Sequence, residues 1–233
     1  MNKVKDARLI DFFKLSPART KTRERERTMS SEAKLATHPQ TQKAKGPAAS
    51  RNKILSAASE LFLEGGVSAL SVRAISKKAG LSTIGIYSHF NGKQGVLDAL
   101  YIEGFNKVYE AMDLGQKDAV SFDDVIMSCE KYLEMAYQHE AHYRLIFGES
   151  DAGYQPSEEA RQAAARAFKK LVSNTDEYIQ QNNLKLDKLA GALDIWAVMH
   201  GYVSISHHAM ANETLDWSGM ALGAVKRQIQ AWS

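Results

Sequence analysis

The sequence predicts an all-α protein, and three observations carry the prediction. Apolar residues recur at helical spacing over most of the chain from Ser50 onward. No β-type alternation of useful length occurs, and no internal repeat is visible. Only four prolines punctuate 233 residues, which favours helices over a turn-rich β fold.

Each element follows from local chemistry. Residues 1–48 predict a poorly ordered basic arm: Arg19 to Arg27 alternates basic, acidic and threonine residues, and 36–49 is rich in Thr, Gln, Ala, Lys and Pro. Such a stretch cannot bury enough apolar surface to order itself. Met29 offers an alternative natural start within it. Ile54, Leu55, Ala58, Leu61 and Phe62 then mark one face of a helix, with Ser50 as its expected cap and Gly65-Gly66 as its stop. Ser71 is placed to cap a short helix carrying Val72, Ile75 and Ala79. Gly80 supplies a tight turn, and Ser82 caps a third helix with Ile86 and Phe90 on its inner side. Asn91 or Gly92 opens a fourth, striped by Val96, Leu97, Leu100, Tyr101 and Phe105. Further helices are expected over 121–138, 140–148, 156–182, 186–212 and 217–231, about nine in all. The helix over 186–212 is apolar round most of its circumference (Leu189, Leu193, Ile195, Trp196, Val198, Met199, Tyr202, Val203, Ile205), which predicts burial on several sides.

Charge and composition restrict the function. The net charge of +3 is unevenly spread. Residues 1–50 hold 12 Lys/Arg against five Asp/Glu, 51–92 hold five against two, and 93–233 hold 13 against 20. A basic front and an acidic back point to an anionic partner at one end only. The single cysteine, Cys129, excludes an intrachain disulfide and a cysteine-based zinc site, and it fits a reducing compartment. No run of 18 apolar residues is present and the N-terminal apolar stretch is too short for a signal peptide, so a cytoplasmic protein is expected. Nucleophile elbows, phosphate loops and metal motifs are missing, so an enzyme is not expected.

The informative stretch is 71–97. Two short helices joined by Ala79-Gly80-Leu81-Ser82 make a helix-turn-helix. Ala79 lets the helices approach, Gly80 accepts positive φ, Ser82 caps the second helix, and Ile75, Leu81 and Ile86 form the small core beneath. The segment Ile86-Tyr87-Ser88-His89-Phe90, followed by Lys93 and Val96-Leu97, resembles the DNA-binding domain of the TetR family of transcriptional regulators over residues 50–100. Gly65 to Val72 matches that family's glycine turn and capped second helix. Gln94 departs from the family's usual glutamate, and Asn91-Gly92 replaces a more usual capping pair.

The resemblance implies a three-helix DNA-binding head over 49–96, and a larger helical domain over 97–233 for dimerisation and ligand binding. The third helix would enter the major groove with Thr83, Ile84 and Gly85 reading base edges. Ser71, Ser82, Tyr87, His89 and Lys93 would hold phosphates, with the amides at the start of helix four. For Tyr87 the competing reading is a packed aromatic, and for His89 a carbonyl cap. The resemblance further implies a dimer through the last two helices, a palindromic double-stranded DNA operator and a small-molecule effector that releases a repressor. Trp196 to Gly201 also resembles a Trp…His-Gly signature of one branch of the family.

Candidate pocket residues are Tyr132, Met135, Tyr143, Phe147, Phe168, Trp196, Met199, His200 and Val203, because large apolar and aromatic side chains dominate ligand sites. The competing reading of each is ordinary core. His200 fits a hydrogen-bonded core histidine better than a metal ligand, and His139/His142 share a face with no cysteine nearby, so no metal or cofactor is expected. Two other functions remain open at this level. One is a helical dimer that binds protein partners or an effector, with weak or non-specific DNA binding. The other is a nucleoid-type binder driven by the arm.

Overall fold

The computed structural model describes residues 46–232 except 116, 118, 148–153, 209, 210 and 213. The expected arm therefore lies, up to residue 45, outside the described residues. Among the described residues there are nine α-helices, one 3₁₀ turn and no strand, and none of the helices is long and apolar enough to cross a membrane.

The first helix, α1, spans Pro47–Gly65. It starts earlier than the expected Ser50 cap, because Pro47 with its fixed φ occupies the first turn and Gly46 at φ 82° is the N-cap. Ser50 instead lies within the helix, 3.5 Å from the Gly46 carbonyl oxygen. The helix ends where the Gly66 N–H donates to the Phe62 carbonyl at 2.7 Å. A 3₁₀ turn, Val67–Ala69, leads to α2 (Val72–Ala79), capped by Ser71, whose hydroxyl oxygen accepts from the Ala74 N–H at 3.1 Å. Gly80 closes α2 in the left-handed region at φ 65°, as a tight turn requires. Ser82 caps α3 (Thr83–Phe90) by accepting from the Gly85 N–H. Asn91 at φ 56° ends α3, and Gly92 at φ 102° is the N-cap of α4 (Lys93–Ala111), so the two candidate starters of helix four divide the work.

The remaining helices are α5 (Phe122–Gln138), α6 (Glu140–Phe147), α7 (Glu158–Gln181), α8 (Lys188–Ser206) and α9 (Trp217–Gln230). Side-chain caps start four of them. Ser121 and Asp124 form a reciprocal capping box on α5, and Ser157, Asp187 and Asp216 accept from first-turn amides of α7, α8 and α9. Helix α8 is shorter than the expected 186–212. It stops at Ser206, and Asn212 organises the turn to α9: its Oδ1 accepts from the Thr214 N–H at 2.9 Å, and its carbonyl accepts from the Trp217 indole N–H at 3.1 Å.

Two apolar clusters share two helices. The head cluster joins Ile54, Ala58 and Phe62 of α1 to Ile75, Ile86 and Phe90, and to Val96, Leu97 and Leu100 from the first half of α4. The body cluster begins with Phe105 and Val108 on the second half of α4 and takes in α5, α7, α8 and α9. A border at 96/97 thus falls inside α4. Helix α6 is divided across its width rather than its length: Ala141 and Leu145 face the head cluster, while Tyr143 and Ile146 face the body. The loop before α7 adds a strap. Tyr154 is buried in the head cluster and donates to Asp98 Oδ1 at 3.0 Å, the same oxygen that accepts from the Ser157 N–H.

Helix α8 also corrects an expectation. Its buried stripe is Gly191, Ala192, Ile195, Met199 and Val203, but Leu193, Val198 and Tyr202 are only half-buried and Ile205 is exposed. Part of its apolar circumference is left uncovered by this chain.

Candidate nucleic-acid interface and ligand cavity

The outer face of α3 is chemically out of place on an ordinary surface. Ile86 and Phe90 are buried, while Thr83, Ile84, Tyr87 and Ser88 point outward, with Ile84 77% and Tyr87 58% exposed. Two large apolar or aromatic side chains held outward by a packed, doubly capped helix need another explanation than burial. Gly85 sits between them, and a Cβ there would meet nothing within 4 Å. Nothing in the fold demands glycine at this point, so its small size is available to a ligand that approaches the backbone closely.

The predicted phosphate set surrounds this face. Ser71 and Ser82 are exposed, and each uses its oxygen to cap a helix, leaving the hydroxyl proton free to donate elsewhere. The Tyr87 ring lies over Gly92, where an added Cβ would stand 3.4 Å from it, so Tyr87 lies beside the start of α4. No side chain caps that start, which leaves first-turn amides to other acceptors. His89 is half-buried beside Phe90. Lys93 is turned partly inward: its Nζ donates to the Val67 carbonyl at 3.0 Å and ties α4 to the 3₁₀ turn, with two further N–H donors on the same ammonium. Arg51, whose guanidinium lies 5.3 Å from the Phe90 ring centroid, borders the same groove as Tyr87, Ser88 and His89, with Asp98 and Glu159 also in its lining. Lys78, on the surface, is instead paired within the chain, with Glu60 and Glu64 at 3.2 and 2.6 Å.

The second feature is an apolar cavity of about 20 Å³ in the body. Tyr132, Phe147, Phe168 and Trp196 line it, which brings together four of the nine predicted pocket residues. The rest of the wall comes from Phe105 and Val108 on α4, from Met112 just past its end, and from Ala167 and Leu171 on α7. Met135, Tyr143, Met199, His200 and Val203 lie outside that wall. Met199 and Val203 are fully buried in the body core. Tyr143 and His200 stand behind the wall in a hydrogen-bond chain. Tyr132 Oη donates to Tyr143 Oη at 3.2 Å, Tyr143 Oη lies 2.7 Å from His200 Nδ1, and His200 Nε2 lies 3.4 Å from Ser204 Oγ. Burial pushes both tyrosine hydroxyls far above their ordinary range. Cys129, also deeply buried, is pushed up to about 12 and is no nucleophile.

Around α6 lie several histidines. Burial lowers His200, His207 and His139 below their ordinary value of 6.5. His142 Nε2 lies 3.6 Å from Glu103 Oε1, beyond hydrogen-bond reach, and Glu103 is lowered chiefly by its contact with His142. Among the described residues no group of three or more His, Cys, Asp or Glu is placed to hold a metal. Because the three lowered histidines resist protonation only when folded, the unfolded chain binds more protons just below pH 6.5. Stability is therefore expected to be level above pH 6.5 and to fall as pH drops below it. Thermal melts from pH 8 to 5 check this, and His200→Gln should flatten part of the decline.

The two features, an outward helix of a helix-turn-helix and a cavity in an all-helical body, define a bacterial transcription-regulator architecture. A family model described as bacterial regulatory proteins, tetR family, matches residues 54–100, and one described as tetracyclin repressor-like, C-terminal domain, matches 125–217. The chain belongs to the TetR family, whose members are regulators rather than enzymes. An HTH-type transcriptional regulator of Mycobacterium bovis is 25% identical over 105 residues, 44% of this chain and 45% of that relative. The chain thus matches less than half the length of this curated relative. The transcriptional regulator FadR from Bacillus subtilis, solved in complex with stearoyl-CoA, superposes with a TM-score of 0.61 at 21% identity, covering 75% of this chain and 95% of that one. The SmeT–triclosan complex superposes with a TM-score of 0.58 at 19% identity, covering 78% and 91%. At these identities the likeness shows the fold.

Proposed function

We propose that this chain is a cytoplasmic, dimeric repressor that binds a palindromic operator through α3 and is released by a small molecule entering the α4–α8 cavity. The observation that carries the DNA reading is the outward pair Ile84 and Tyr87 on a rigidly capped α3, flanking a glycine the fold does not need. Thr83, Ile84 and Gly85 then read base edges, with Ile84 suited to thymine methyls. Ser71, Ser82, Tyr87, His89, Lys93 and Arg51 hold phosphates and set register. Support for ligand response comes from two structural neighbours solved with small molecules, stearoyl-CoA and triclosan.

Helix α6 is the coupling element in this reading. Phe147 lines the cavity, and one residue earlier Ile146 packs in the body. On the other side, Leu145 packs in the head cluster and the Arg144 guanidinium sits 5.8 Å from the Phe62 ring centroid. Gly104 of α4 leaves no spare room against α6, since a Cβ there would lie 2.9 Å from Ile146 Cγ2. A ligand that displaces Phe147 must move a short helix wedged against α1 and α4. That converts cavity occupancy into head position, a coupling typically worth ~1–3 kcal/mol.

Selection of bound sequences from a random DNA pool by the full chain tests the reading. Enrichment of one approximate palindrome that resists competitor DNA supports it, and the absence of any preferred site overturns it. Gly85→Ala sharpens the test. Its effect on stability is expected to be neutral or favourable by about 0.5–1 kcal/mol, because alanine is the better helix former. The enriched sequence should change or operator affinity fall, as read by thermal melts and a repeated selection.

A further inference from the structure

One face of α4 holds a fastening that neither the DNA face nor the cavity uses. Gln94, Asp98 and Tyr101 stand at i, i+4 and i+7, so they line one side of the helix over two turns. Residues 154–157 lie along that side. Gln94 Nε2 donates to the Gln155 carbonyl at 2.7 Å. Asp98 Oδ1 accepts twice at 3.0 Å, from the Tyr154 hydroxyl and from the Ser157 N–H. The Tyr101 and Tyr154 rings meet with centroids 5.9 Å apart. Burial, and then the Asp98 carboxylate, push the Tyr154 hydroxyl far above its ordinary range, so it keeps its proton and remains a donor.

The residue types match this contact. Gln94 stands where the family's usual residue is glutamate, and a carboxylate there could not donate to the Gln155 carbonyl. Pro156 has a fixed φ and restricts Gln155 before it, so the segment is stiff. The Pro156 carbonyl accepts from Arg161 Nη1 at 2.6 Å, and Ser157 is the N-cap of α7. Helix α7 then runs into the body, where Ala163, Ala164, Ala167 and Phe168 are core. The body thus reaches the head half of α4 through a short, stiff link, separate from the wedge of α6. Asp98 also borders the groove of Tyr87, Ser88 and His89, so the link acts close to the DNA face.

We propose that Gln94 and Asp98 are positioning residues that fix the angle of the head on the body, and through it the half-site spacing that a dimer accepts. The proposal rests on the operator reading of α3. Two heads on one dimer must meet two half-sites at once. One extra base pair between them turns one half-site by about 35° and shifts it by about 3.4 Å. A head fixed in angle cannot follow that change, and a head on a loosened link can.

The test uses the full chain and the palindrome it selects, rebuilt with its half-sites one base pair closer and one base pair further apart. For the wild-type protein each change should cost at least about tenfold in affinity, because the second head loses part of its multivalent gain. The double variant Gln94→Ala/Tyr154→Phe removes the two side-chain donors of the link. It should cut that cost below about threefold and leave affinity for a single half-site within about twofold of wild type. A loss of stability alone would weaken all three spacings together and leave the preference intact. Gln94→Ala by itself, at an exposed position, should loosen the preference in part, and covers the case in which the double variant does not fold. Spin labels on Lys53→Cys of α1 and Ser173→Cys of α7, both exposed positions, read the link without DNA. Their distance distribution should be narrow with the link intact and broader in the double variant. The inference is overturned if the double variant keeps the wild-type spacing preference, if the wild-type protein accepts all three spacings equally, or if the label distribution does not broaden. If no palindrome is selected at all, the operator reading falls, and the labels alone decide whether Gln94 and Asp98 hold the head.

Discussion

Replacing Phe62 by alanine is expected to cost the head about 3–5 kcal/mol and to abolish operator binding while the body stays helical. Phe62 is 1% exposed and sits among Ile54, Ala58, Ile75 and Leu97. A small head has few other large side chains with which to fill the void, and its total stability is of the same order as the loss. The substitution also removes the ring beneath the Arg144 guanidinium, and with it a contact between α6 and α1. The body cluster contains no residue of α1, so it should persist. Circular dichroism should show an early melting step for the head ahead of the main transition, with no DNA binding at 25 °C. Leu63→Ala, at a neighbouring but 43% exposed position, should shift stability by less than about 0.5 kcal/mol. A single melt unchanged from wild type in Phe62→Ala would show that the head core is not organised around this ring.

The head was legible in the sequence because its punctuation is chemical. Ser71, Gly80 and Ser82 each do what their side chains, or the lack of one, dictate within a few residues. Pro47 shows the limit: a proline inside a stretch read as arm turned out to be the first residue of α1, since its fixed φ suits that position. The cavity was half legible for a different reason. Tyr132, Phe147, Phe168 and Trp196 stand out as large aromatics, but Met199 and Val203 carry the same apolar signal and face the core. Helix α8 is apolar almost all round, so its sequence contains no phase marker to say which side meets the void. Phe105 reads as the end of an ordinary stripe on α4, and only the crossing of α4 and α7 brings it together with Val108 and Leu171 as a wall. The end of α8 was illegible because apolar residues continue past Ser206, and the turn at Asn212 depends on a side-chain hydrogen bond that periodicity does not report.

The uncovered apolar surface of the body yields the other large prediction. Ile205 is 55% exposed, Met220 43% and Leu215 42%, and they lie on α8, α9 and the connection between them. Val198 and Tyr202, two turns and one turn before Ile205 on α8, are half-buried. A second copy related by a two-fold axis would cover these residues with their own equivalents, since the same patch then meets itself. The proposed function links this surface to DNA affinity. Under the proposed function one head would contact one half-site, and the second head of a dimer would bind at a raised effective concentration, adding roughly 10²–10⁴ to affinity without a new contact. The double substitution Ile205→Glu/Met220→Glu places like charges against each other in that interface while leaving the monomer core untouched. Light scattering should report a monomer, thermal melts of the head should be unchanged, and affinity for the selected palindrome should drop roughly 10²–10⁴-fold, with half-site affinity retained. A variant that remains dimeric would place the interface elsewhere. A monomer that still binds the palindrome as tightly as wild type would mean that each head acts alone, so that a ligand changing the separation of two heads could not be what releases the DNA.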